Sequence, residues 1–86
     1  MVATKDEVFT QISLVKELTE AVELRRRIVC DTILDGITLE DEVGRLPAGY
    51  VNAQRAAASD HLYYSRRLRD EKARLQNLVN DNALSI

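Results

Sequence analysis

The sequence predicts an all-α fold: long–short–long helices forming an antiparallel helical hairpin of coiled-coil type, assembled into a dimeric four-helix or larger bundle. Three observations carry this prediction. Glycine and proline, the strongest local breakers, occur only in the middle of the chain, at Gly36, Gly44, Pro47 and Gly49. Apolar residues recur at steps of three and four on both sides of that cluster. No segment alternates apolar and polar residues at the period of two that a half-buried strand requires.

The elements follow in chain order. "TKDE", Thr4 to Glu7, is a capping box, in which the Thr4 hydroxyl accepts from the Glu7 amide while Glu7 reaches back. It starts a helix predicted over residues ~5–34, and Gly36 suits the left-handed residue that closes a helix C-terminus. "TLED", Thr38 to Asp41, repeats the cap with Asp41 in place of Glu and predicts a connector with a short helix over ~38–46. Pro47 fits a first helical position, and nothing breaks a helix from there over ~47–82. The whole chain is read as one helical-hairpin domain.

At ~100° per residue, Val8, Ile12, Val15, Leu18, Val22, Val29 and Ile33 line one stripe of the first helix. Leu14, Ala21 and Ile28 widen it. In the last helix Ala57, His61, Tyr64, Leu68, Glu71, Leu75, Leu78 and Asn82 alternate steps of four and three, a heptad seam with polar interruptions. Its members Ala57, His61, Tyr64, Leu68, Leu75 and Leu78 are the expected oligomer seam, because this seam and the wide first stripe exceed what one helix pair can bury. The chain is therefore expected to form a homo-oligomer, at least a dimer. Its length agrees, since 86 residues bury only roughly 60–65% of their unfolded surface.

Composition bounds the function. A net charge of −2 and a pI near 5.3 argue against a general polyanion binder while leaving room for a local basic patch. One cysteine excludes an internal disulfide. With no apolar run of about 18 residues and no basic-then-apolar start, a cytoplasmic protein without a membrane role is expected. No glycine-rich phosphate loop, nucleophile elbow or zinc spacing occurs, so no catalytic residue, metal or cofactor is expected.

Two arginine-rich segments are the candidate binding sites. In "HLYYSRRLRDEKARL", His61 to Leu75, Arg66 and Arg69 lie opposite the seam together with Arg55, and Tyr63 is available for stacking. The first helix instead gathers Asp6, Glu17, Glu20 and Asp31 on its outer side, so the balanced net charge hides an acidic back on one helix and a basic back on the other. The plain expectation is two solvated faces with pairs such as Arg67 to Glu71, and Asp70 to Arg66 or Arg74; the sharper one is docking of a partner or anion on the basic side. In "LRRRIVC", Leu24 to Cys30, Arg25 and Arg26 flank the apolar stripe. Either both side chains snorkel or they face a partner inside a bundle. An antiparallel pairing puts residue i opposite roughly 82 − i, which sets Arg25 and Arg26 against Ala56, Ala57 and Ala58. The same register separates Cys30 from His61 by ~13 Å, too far for a catalytic dyad, and leaves Cys30 as a small buried apolar residue.

These features fit a non-enzymatic protein that self-associates and binds a protein partner, of the adaptor, regulator or inhibitor type. The alternative is a binder of an anionic ligand, RNA, DNA or a nucleotide-like small molecule, through its arginine-rich helix faces. In outline, long–short–long helices with arginines near the core also resemble the small all-helical chorismate mutases, which clamp a dicarboxylate with cations inside a helical dimer. The connector "TLEDEVGRLPAGY" departs from the Asp-Arg-Glu pattern of that family's middle helix, so no residue roles carry over.

Overall fold

The computed structural model describes residues 4–84, with side chains through residue 81. Two helices make up almost all of it: α1, Lys5–Val43, and α2, Ala48–Leu84. They pack side by side as a hairpin with Cα extents of 64 × 14 × 14 Å.

Helix α1 starts where the sequence predicts. The Thr4 hydroxyl accepts from the Glu7 amide at 3.2 Å, which satisfies one orphan donor of the first turn. The return bond from Glu7 to the Thr4 amide is absent among the described residues.

The end of α1 differs from expectation. The helix runs through Gly36 and through "TLED" to Val43, so the order is long–long rather than long–short–long. The Thr38 hydroxyl donates back to the Leu34 carbonyl at 3.2 Å, as it does inside a helix, and does not cap a new one. Gly36 is buried, and a Cβ there would lie 2.5 Å from Gln54 Nε2 and 3.3 Å from Leu46 Cδ1. The glycine thus provides close approach of the two helices rather than a left-handed cap. That cap falls at Gly44, with φ of 82° and its N–H donating to the Glu40 carbonyl at 2.7 Å. Four residues, Gly44 to Pro47, then reverse the chain. Pro47 sits just before α2 rather than inside it, and its carbonyl accepts from the Tyr50 and Val51 amides.

On α2 the half-buried positions include Tyr50, Gln54, Ala57, His61, Tyr64, Leu68, Glu71, Leu75 and Leu78, the predicted seam extended toward the turn. The side chain of Asn82, the last position of that seam, lies outside the described residues. In this hairpin the seam faces α1 of the same chain.

On α1 the inward positions follow steps of three and four: Val8, Gln11, Val15, Leu18, Val22, Arg25, Val29, Thr32, Gly36 and Leu39 are buried or half-buried. Three residues of the predicted stripe, Ile12, Ile28 and Ile33, are exposed instead, and polar Gln11, Arg25 and Thr32 take the inner places. The stripe was drawn at 3.6 residues per turn, whereas a packed helix pair keeps a seam of period 3.5. Each inward polar residue of α1 faces a polar or aromatic group of α2, which makes its burial tolerable. The buried apolar core is small: among the described residues Leu18, 4% exposed, is its one member.

Candidate interaction surfaces

Three polar layers cross the hairpin interior. Near the open end, Gln11 Nε2 donates to Glu71 Oε2 at 2.5 Å and to the Glu71 carbonyl at 3.0 Å. Near the turn, Gln54 Nε2 approaches the Thr32 carbonyl at 3.5 Å. Between them the Arg25 guanidinium carbon lies 3.9 Å from the centroid of the Tyr64 ring, a cation–π contact. Arg25 Nη1 donates to the Ala21 carbonyl at 3.4 Å, while its Nε is buried without a partner. Tyr63 meets Tyr64 edge to face, with ring centroids 5.2 Å apart.

The two arginines that flank the apolar stripe therefore part company. Arg25 reaches inward to Tyr64 rather than to Ala56, Ala57 and Ala58. Arg26 stays on the surface, where Nε and Nη2 grip the Glu23 carboxylate and Arg27 approaches it at 3.8 Å. The hydrogen bond from Arg26 holds the Glu23 carboxyl below the usual carboxylate range, and the same bond raises Arg26. This pair is solvent-exposed and screened, so it orients side chains more than it stabilises the fold.

On the outer side of α2, Tyr63, Arg66 and Arg67 line one shallow depression with Ser59, Leu62 and Asp70. Arg69 is exposed beside Asp70 at 3.5 Å, and Arg55 stands exposed about four turns nearer the connector. The structure thus gathers Tyr63 and Arg66, adds Arg67, and leaves Arg55 and Arg69 outside the group. The expected pairs of Arg67 with Glu71, and of Asp70 with Arg66 or Arg74, do not form among the described residues. Glu71 is turned inward to Gln11 instead. His61 is half-buried in the seam. Cys30 is exposed, contrary to the buried position expected for it, because it sits one residue past the inward Val29. Among the described residues no cluster of three His, Cys, Asp or Glu side chains could hold a metal, and no helix is long and apolar enough to cross a membrane.

The largest feature is apolar. Among the described residues eleven large hydrophobic side chains are exposed, from Phe9 at 63% to Ile12 at 42%. Eight of them lie on α1: Phe9, Ile12, Leu24, Ile28, Ile33, Leu34, Ile37 and Val43. Sequence reasoning missed this surface because it assigned several of these residues to the interior. Their exposure follows once Val15, Val22, Val29 and Gly36, spaced by sevens, are taken as one edge of the seam. No protein-family model, curated protein or solved structure matches the chain.

Proposed function

We propose that this chain is a non-enzymatic assembly module that self-associates through its exposed apolar helix surface and docks a protein partner by the same kind of helix-on-helix packing. The observation behind this reading is the contrast, among the described residues, between one buried apolar side chain and eleven exposed large ones in two helices of 39 and 37 residues. Burial of apolar surface is the dominant favourable term in folding. A rod this thin has too little interior of its own, and contiguous apolar surface beyond a few hundred Å² marks an interaction site. Light scattering at tens of micromolar should return at least twice the chain mass of 9.7 kDa. The melting temperature should rise with protein concentration, as it does when folding and association are linked. A monomer whose melting temperature is independent of concentration contradicts the proposal.

A second reading, binding of a nucleic acid or a nucleotide-like anion on α2, draws on the shared depression of Tyr63, Arg66 and Arg67. Changing Arg55, Arg66 and Arg69 together to Gln should leave helicity and mass unchanged, since exposed charges contribute only ~0–1 kcal/mol each. This reading requires that the purified protein carry absorbance at 260 nm and that the triple variant lose it.

A further inference from the structure

We infer that the partner seated on the apolar side of α1 is a second copy of this chain, running antiparallel about a two-fold axis near Glu23. The inference rests on the self-association proposed above and specifies its surface and direction.

Counting by heptads outward from the seam, the two flanks of the hairpin differ. One flank carries Glu7 and Thr10 of α1 beside Arg74 of α2, which line one depression across both helices. Leu24 and Ile28 are exposed on that flank too, but Asp31 and Asp35 follow them. On the other flank α1 presents Phe9 and Ile12 near its start and Ile33 and Ile37 toward its end, all exposed. Leu62 and Val79 of α2 fall on this flank by the same count and are also exposed, as are the cations Arg55, Arg69 and Lys72.

The α1 part of this flank is self-complementary when reversed. About Glu23, Phe9 falls level with Ile37 of the second copy and Ile12 within one residue of Ile33, so apolar meets apolar at both ends. The polar residues, Lys16, Glu23 and Arg26, fall in the middle. There the two Glu23 carboxylates meet at the axis, bracketed by Arg26 from each copy, and Lys16 falls level with Cys30 rather than with another cation. A parallel, in-register arrangement instead stacks Lys16 on Lys16 and Arg26 on Arg26. Like charges at such sites cost energy, so the charge pattern selects the antiparallel direction. Self-complementarity under a two-fold is what an isologous dimer requires.

The size also fits. From Phe9 to Ile37 the strip is about 42 Å long, and two helices packed 8–10 Å apart give a side about 20 Å wide. The product is on the order of 800 Å², the area each partner contributes to a standard interface.

The test compares the two flanks. Ile12→Glu with Ile33→Glu should halve the mass seen by light scattering while circular dichroism stays helical, and Leu24→Glu with Ile28→Glu should remain dimeric. Direction is read with one spin label on the outer surface, Ser13→Cys in a Cys30→Ser background that light scattering shows to be dimeric, with every other interface residue native. The expected distance between labels is about 30 Å or more, from 20 residues of axial offset. A distance under about 20 Å, or loss of the dimer only in the Leu24 and Ile28 variant, overturns this geometry and leaves self-association standing. A monomeric parent protein removes both.

Discussion

Leu18→Ala should be the most damaging single truncation in the chain, lowering stability by about 2–3 kcal/mol. Leu18 is 4% exposed and lies centrally among the inward positions of α1, with Val15 and Val22 half-buried a turn to either side. Removing its isobutyl group forfeits the transfer free energy of the lost carbons and leaves space between the helices. Well-packed cores lose up to about 5 kcal/mol for such a change, because their walls cannot close the cavity. Here the walls are half-exposed side chains of a two-helix rod, free to slide inward, so the lower end applies. Even that is a large fraction of the ~5–15 kcal/mol that holds a typical domain. Leu24→Ala is the control: its side chain is exposed outside the proposed interface, and it should stay within about 0.5 kcal/mol of the parent. Urea unfolding of both variants at one fixed protein concentration makes the comparison, since association shifts apparent stability. Equal costs would mean that Leu18 is not the centre of the packing.

How much of this was legible follows from which signals have a single cause. The seam of α2 was readable because Tyr64, Leu68, Leu75 and Leu78 keep the three–four spacing with only Glu71 interrupting it, and a helix with that pattern has one face to bury. The start of α1 was readable from Thr4 and Glu7 alone. Gly36 was not, because glycine has two uses in a helical hairpin. It can end a helix in the left-handed region, as Gly44 does, or sit inside one where another element comes close. The discriminating signal was phase, since Gly36 stands seven residues after Val29 and fourteen after Val22, on the inward edge. The inward turn of Gln11 and Arg25 had no local signal at all. Those positions became tolerable only because Glu71 and Tyr64 stand opposite, which is a property of the pair and not of either helix. The same limit hid the exposed apolar surface: Ile12 and Ile33 read as core until polar neighbours were seen to take the inner places.

The polar layer of Gln11 and Glu71 should respond to mutation with opposite signs, one at a time and together. Gln11 is 5% exposed, and its amide is the donor that the half-buried Glu71 carboxylate finds across the interface. Gln11→Leu leaves that carboxylate against an apolar side chain, and Glu71→Leu leaves a buried amide without its acceptor. Each single change should cost about 1–3 kcal/mol, the usual penalty for stranding a buried polar group. The double change replaces one of the three polar layers by an apolar one and should return stability to the parent value or exceed it, as when buried polar pairs give way to hydrophobic residues of similar volume. The coupling energy from the four proteins should therefore be at least about 1 kcal/mol, well outside the ~0.5 kcal/mol scatter of independent sites. What the double variant loses is definition. A polar layer in the seam penalises registers other than its own, as a buried Asn does in a coiled coil. With Leu at both positions, a slip of one heptad along α2 faces fewer penalties, so extra amide resonances should appear in a two-dimensional spectrum of the more stable protein. Additive single and double costs would show that the layer only fills space. A double variant that is more stable and gives a single set of resonances would show that the register is held elsewhere, by Arg25 on Tyr64 or by the close approach at Gly36.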